Sequence, residues 1–184
     1  MREQFHFFKI ALFDRSIGAL ARSSKYVVRR VTEVLDDRHF RRVVEYGPGD
    51  GVMTRELLRH LPPDGELIAV EANPKFVKML KKIRDPRLRV IEGTIQEVAP
   101  RLLRYGFGHV DLAVSSIPFS SLSEHDREAV VRHTFDALAD GGDFIVFHQY
   151  SRLMLNPLKK FFPDVHTSFE PRNVLPCFII FAQK

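Results

Sequence analysis

The chain has no tryptophan, one cysteine and no apolar run approaching the length of a bilayer, and each absence excludes something. A lone Cys177 rules out an intrachain disulfide and any cysteine-rich metal site. A membrane-spanning helix needs about 18 consecutive apolar residues, and the N-terminus also lacks the apolar stretch of a secretory leader. A cytoplasmic monomer without a metal is therefore expected. Internal repeats and low-complexity linkers are missing too. What is present suits one α/β domain with a proper core: 184 residues, 45% hydrophobic and 28% charged. The formal charge of +5 is unevenly placed. Residues 1–30 carry Arg2, Lys9, Arg15, Arg22, Lys25, Arg29 and Arg30 against Glu3 and Asp14, so this segment holds the whole excess. A local excess of that kind points to an anionic surface, either lipid headgroups or nucleic acid.

The chain is organised around Val43-Val44-Glu45-Tyr46-Gly47-Pro48-Gly49-Asp50-Gly51. A β-branched strand ends at Glu45, three glycines follow at alternate positions, and a helical run carrying Met53, Leu57, Leu58 and Leu61 begins. Without Cβ atoms the backbone takes φ > 0 and approaches a ligand closely, while the next helix offers free N–H groups. The dinucleotide fingerprint G-x-G-x-x-G does not fit, because the third glycine comes one place early and Val52 stands where glycine is required. Glu45, two residues before Gly47, suits the ammonium group of an amino-acid moiety better than a pyrophosphate. About 20 residues on, the strand Glu66–Glu71 ends in a carboxylate placed to accept the hydroxyls of a ribose, and Pro74 opens the next helix.

The remaining pattern alternates as a doubly wound sheet does. Strands are expected at 42–46, 66–71, 88–92, 110–115 and 143–148, with helices at 51–61, 74–83, 95–105 and 124–138. A short helix at 153–162 and two antiparallel strands, 165–169 and 174–181, close the chain. Two N-terminal helices precede the sheet. The first, 1–14, sets Phe5, Phe8 and Leu12 against Arg2, His6 and Lys9, which suits either a membrane interface or packing on its own domain. The second is capped by Ser23 or Ser24 and runs through Tyr26, Val27, Val31 and Leu35. The expected organisation is a basic, amphipathic helical segment at 1–36 and a ligand-binding domain at 37–184.

The motif E-x-G-x-G-x-G with Glu71 resembles class I S-adenosylmethionine-dependent methyltransferases. That resemblance implies a Rossmann-like α/β fold with a seven-stranded, mostly parallel sheet and a C-terminal antiparallel hairpin. It also implies S-adenosylmethionine as cofactor, held by Glu45, Gly47, Gly49, Gly51, Glu71, Ala72, Gly93, Thr94, Ile95 and Ser115. Thr94 stands where the family usually has an Asp for the adenine amino group, which leaves that contact to backbone groups around Gly93 and Ile95. At the end of the fourth strand, Ser115-Ser116-Ile117-Pro118-Phe119 is similar to the Asn-x-Pro-aromatic motif of ribosomal RNA adenine dimethylases, with Ser116 in place of Asn. Phe119 keeps the means to stack on a base.

The resemblance is closer to bacterial phospholipid N-methyltransferases of the phosphatidylethanolamine type. It runs through Ile17-Gly18-Ala19, Ser23-Ser24, the glycine motif, Val70-Glu71-Ala72-Asn73-Pro74, Ser115-Ser116-Ile117-Pro118, Phe147-His148-Gln149-Tyr150 and Arg172-Asn173-Val174-Leu175-Pro176. It implies methylation of a headgroup amine at an anionic membrane surface by a peripherally associated enzyme. Tyr26 and Tyr150 are candidates to hold or shield the amine, and Ser116 and His148 are candidates at the reacting centre, His148 as proton acceptor. Arg172 and Asn173 are candidates for the lipid phosphate. Two rival readings stand beside it: an RNA adenine methyltransferase using the basic N-terminus on phosphates, and a cofactor-binding protein without turnover. The missing Asn, the phenylalanines of the basic segment and the lack of an added C-terminal RNA-binding domain weigh against RNA.

Overall fold

The computed structural model describes residues 25–36, 38–149, 152–172 and 176–184, apart from the side chains of Val34, Asp36, His148 and Gln149. The helix expected at 1–14 lies outside the described residues. The chain order is α1 (Lys25–Asp36), β1 (Arg42–Tyr46), α2 (Val52–His60), β2 (Glu66–Glu71), α3 (Pro74–Leu80), β3 (Leu88–Glu92), α4 (Ile95–Val98), β4 (Val110–Ser115), α5 (Glu124–Ala137), β5 (Leu138–Gln149), α6 (Leu155–Phe161), β6 (Asp164–Glu170) and β7 (Cys177–Gln183).

The strands form one seven-stranded sheet in the order β3-β2-β1-β4-β5-β7-β6. The first five are parallel, with Val44 opposite Ile68 on one side and Ala113 on the other. β7 lies antiparallel between β5 and β6. This is the expected class I architecture. Side chains alternate across each strand, so successive residues feed opposite layers. Val44, Tyr46, Ile68, Val70, Ala113, Phe144 and Val146 pack with Val130 and Val131 of α5 and Leu158 of α6. Val43, Leu67, Leu112, Val114 and Ile145 pack with Met53, Leu57 and Leu58 of α2 and with Val27, Val31 and Leu35 of α1. Helix α1 therefore shares a core with the sheet, through residues spaced i, i+4 and i+8.

Three expected elements differ, each for a local reason. The helix expected at 95–105 is α-helical only to Val98 and continues as 3₁₀ turns at Ala99–Arg101 and Leu103–Tyr105. Pro100 has no N–H to donate, and Gly106 at φ +78° ends the run. The helix expected at 124–138 stops at Ala137, and β5 starts at once, with a register shift against β4 between Leu138 and Asp143 where Gly141 takes φ +76°. The last strand is Cys177–Gln183, two residues past its expected end, and Pro176 before it has no ladder donor; residues 174 and 175 lie outside the described residues.

The sequence leaves β1 toward β2 and β3 on one side and returns to β4 and β5 on the other. The crevice between the carboxyl ends of β1 and β4 is thus the topological switch point, where open α/β sheets bind their ligands.

Candidate active site

The glycines at that switch point divide the work. All three have positive φ: +74° at Gly47, +56° at Gly49 and +79° at Gly51. A Cβ on Gly47 would meet Ile117 Cγ2 at 2.6 Å, and one on Gly51 would meet Leu80 Cδ2 at 2.9 Å, so these two let the loop pack under the β4 loop and against α3. A Cβ on Gly49 would meet nothing within 4 Å. Its bare face is the floor of an open cradle. Beside it, at the end of β2, one Glu71 oxygen accepts from Gly49 N at 3.0 Å and the other from Asn73 N at 2.8 Å. Glu71 thereby fastens the glycine loop to the start of α3, where Asn73 caps the helix by accepting from Lys75 N at 2.9 Å. A carboxylate oxygen has a second lone pair, so both oxygens retain accepting capacity for a ribose.

Glu45, near the end of β1, is also engaged inside the fold. It is 1% exposed, and its carboxyl accepts from the Thr54 hydroxyl at 2.6 Å, tying β1 to the first turns of α2. Burial pushes its pKa up to about 8; the Thr54 hydrogen bond opposes this, and Glu71 and Asp50 add to it. At neutral pH the ligand-free group is mostly protonated. An ammonium group approaching it favours the ionised form and expels the proton. Cofactor affinity is therefore expected to rise up to about tenfold per pH unit between pH 6 and 8 and then level off, and Glu45→Gln to be flat over that range. Calorimetry in two buffers of different ionisation enthalpy measures the released proton directly; a flat wild-type profile would reduce Glu45 to a clamp on Thr54. The same shift has a stability sign. The folded pKa lies above the unfolded 4.5, so the contribution is full below pH 4.5 and lost as pH rises through about 8.

At the end of β4, Ser115 is fully buried and its hydroxyl has no partner among the described residues. The Ser116 hydroxyl donates to Gly47 O at 2.7 Å, and its N–H donates to Tyr46 O at 3.1 Å. Ser116 therefore locks the β4 loop onto the glycine loop. Phe119 is 0% exposed and belongs to the core beneath α5, while Arg127 donates to Leu122 O at 2.6 Å and holds the loop closed. The ring expected to be available for base stacking is packed away.

Residues 43–142 match the methyltransferase domain family. That span covers more than half of the chain. The chain belongs to this family. It is an enzyme of the S-adenosylmethionine-dependent class, and a bare glycine floor with an acid at the end of the adjacent strand fits that cofactor. The methyltransferase is 28% identical over 170 residues to the ornithine lipid N-methyltransferase of Singulisphaera acidiphila, covering 91% of this chain and 88% of that one. It is 31% identical over 109 residues to ribosomal RNA small subunit methyltransferase A of Geobacter metallireducens, covering 58% of this chain and 38% of that one. Among solved structures it superposes on an O-methyltransferase of Streptomyces achromogenes in complex with SAM, with a TM-score of 0.70 at 16% identity, over 89% of this chain and 82% of that one.

Other parts of the methyltransferase depart from the sequence reading or extend it. Thr94, expected near adenine, is the N-cap of α4 in a capping box: Glu97 N donates to its hydroxyl, which in turn donates to Glu97 Oε2 at 2.9 Å, and Thr94 N reaches the same oxygen at 2.9 Å. Its polar groups are spent locally, and Ile95 beside it is buried. Gly93 N donates to the backbone carbonyl of Glu71 at 3.0 Å, joining this turn to the end of β2. Ala72 is exposed on the same edge. His148 pairs across the sheet with Phe178 near the carboxyl end of β5, which is the ligand edge. Tyr150 and Asn173 lie outside the described residues.

Tyr26 and Arg172, read separately in the sequence, meet. The Arg172 guanidinium lies 4.4 Å from the Tyr26 ring centroid, and its Nε and Nη2 grip the carboxylate of Glu170 at 2.7 and 2.8 Å. Arg172 holds Glu170 down at about 2. Glu170, its neighbour Arg30 and the adjacent Arg29 were missed by sequence reasoning. Their only local signal is a polar helix face, with Tyr26, Arg29, Arg30 and Glu33 spaced as helical neighbours.

Proposed function

We propose that the chain transfers a methyl group from S-adenosylmethionine to the amine of an aminolipid headgroup, working at a membrane surface. The observation that carries this reading is the loop after β4. With Phe119 buried and the Ser116 hydroxyl committed to Gly47 O, this loop presents no stacking ring or amide fork to a nucleobase. The likeness to the ornithine lipid N-methyltransferase supports it, because it extends across 91% of the chain, well beyond the domain shared with ribosomal RNA enzymes. The basic segment at 1–30, with Phe5, Phe7, Phe8 and Phe13, suits contact with anionic lipid. Among the described residues no helix is long and apolar enough to cross a membrane, so this contact is peripheral in the reading proposed.

Bound S-adenosylmethionine supplies an electrophilic methyl group on a sulfonium centre. Glu71 would accept from the ribose hydroxyls, the Gly47–Gly51 loop would hold the cofactor beside Gly49, and Glu45 would answer the ammonium of the amino-acid part. What the chain must add is alignment and a neutral amine. An alkylammonium loses its proton more readily in a dry pocket near a second cation. His148, on the ligand edge of β5, is the candidate to take that proton, with Tyr150 following it in sequence. The test is label transfer from methyl-labelled cofactor into total lipid or total RNA; lipid is expected to take it up.

A further inference from the structure

We infer that Tyr26, Arg29, Arg30 and Arg172 form a subsite for an oxyanion, phosphate or carboxylate, carried by the acceptor headgroup beside its amine. This rests on the aminolipid reading and specifies how the headgroup is recognised.

These residues, with Glu33, line a cleft of about 280 Å³. Behind it two of these arginines pair with Glu170, whose side chain is 1% exposed, while that of Arg172 is 59% exposed. The contrast matters because a buried carboxylate fixes an otherwise flexible arginine. Arg172 donates three times to Glu170, through N, Nε and Nη2, and the flat guanidinium is further held against the Tyr26 ring. Only one edge of the fork is used. Its remaining N–H groups have no partner among the described residues and are donors in a fixed plane. Arg30 contributes from α1, 3.7 Å from Glu170 and 3.6 Å from Glu33, and Arg29 lies 3.4 Å from Glu33. Three arginines against two glutamates leave one positive charge in excess, and Lys25 adds another at 5.2 Å from the Tyr26 ring.

The position of the cleft fits an acceptor. Glu170 ends β6 opposite Cys177, which in turn faces Gln149 at the carboxyl end of β5. The cleft therefore sits on the edge of the sheet that carries Gly49 and Glu71. A 12-residue helix is about 18 Å long, so α1, leading to the amino end of β1, presents its first turns at this same edge. An amine alone would be repelled by so many cations. A headgroup bearing an anion next to its amine is attracted, and the anion decides which way the amine points.

The experiment measures kcat/KM for methyl transfer in neutral phosphatidylcholine vesicles with two matched pairs of acceptors. One pair is ornithine lipid and its carboxyl methyl ester; the other is phosphatidylethanolamine and a long-chain alkylamine. The wild type is expected to prefer the anionic member of at least one pair by roughly tenfold or more, as loss of a charge-assisted hydrogen bond implies, and the preferred pair identifies carboxylate or phosphate. In Arg172→Gln that preference is expected to fall to within about twofold. Arg172→Gln also leaves Glu170 without its partner, so Arg29→Gln with Arg30→Gln is measured beside it; this leaves the Glu170–Arg172 pair intact and is expected to lose most of the preference while S-adenosylhomocysteine affinity stays within about twofold. Inorganic phosphate is expected to inhibit the wild type more than the variants. Equal use of both members of both pairs, or a preference that survives both sets of substitutions, overturns the subsite and leaves the aminolipid function standing. Label in RNA and in no lipid overturns both.

Discussion

Glu71→Ala is expected to weaken S-adenosylhomocysteine binding by about 10- to 100-fold, read by titration calorimetry. Part of the loss is direct, since the ribose hydroxyls lose an ionised acceptor worth about 1–3 kcal/mol. The rest comes from the loop, because the same carboxylate accepts from Gly49 N and Asn73 N and holds the cradle in shape before the ligand arrives. Glu71→Gln is expected to fall in between. It keeps one oxygen acceptor but points an N–H₂ group at one of the two backbone donors. Unchanged affinity in the alanine variant would remove Glu71 from the site.

The second large effect separates two glycines that look alike in the sequence. Both Gly49 and Gly51 hold a left-handed φ, so alanine costs each about 1–2 kcal/mol of backbone strain. At Gly51 the new methyl also collides with Leu80 and Ile83, the packing surface of α3. Gly51→Ala is therefore expected to lose about 1–3 kcal/mol more stability than Gly49→Ala, seen as the lower melting temperature. At Gly49 the methyl enters open space, which is where the cofactor passes over the loop. Gly49→Ala is thus expected to melt only a few degrees below the wild type, from the strain alone, yet lose at least about tenfold in cofactor affinity. Normal affinity in Gly49→Ala contradicts the assignment of that open face.

Much of this was legible in the sequence, for reasons that can be traced. The strands at 42–46, 66–71 and 110–115 fall where the apolar runs place them, because a strand buried on both faces is a continuous block of β-branched and aliphatic residues bounded by charges, Gly or Pro, and the half-exposed edge strand at 88–92 falls where expected too. The glycine spacing and Glu71 gave the cofactor class, since both belong to one local turn and one strand end. Less was legible where one residue has two local uses. Thr94, expected near adenine, also begins a Thr-x-x-Glu capping box, and that cap is formed. Glu45 was read by its place before Gly47, but its depth and its bond to Thr54 depend on how α2 packs back over β1. The arginine cleft was not legible at all. Arg172 and Tyr26 are far apart in the chain, and only the placement of β6 and α1 at one edge brings them together.

The acid side of the stability profile tests that cleft's foundation as well. Glu170 is held at about 2, chiefly by its hydrogen bonds from Arg172 and then by the charges of Arg172 and Arg30. A depressed carboxylate stabilises the fold above its unfolded value of 4.5 and ceases to do so as pH falls through about 2.

The most direct measurement of the central claim follows labelled methyl groups from S-adenosylmethionine into total lipid and total RNA offered together, with the Glu71→Ala variant as the background. The account predicts label in an amine-bearing lipid, dependent on Glu71, with RNA at background. Label in RNA with lipid at background would contradict it.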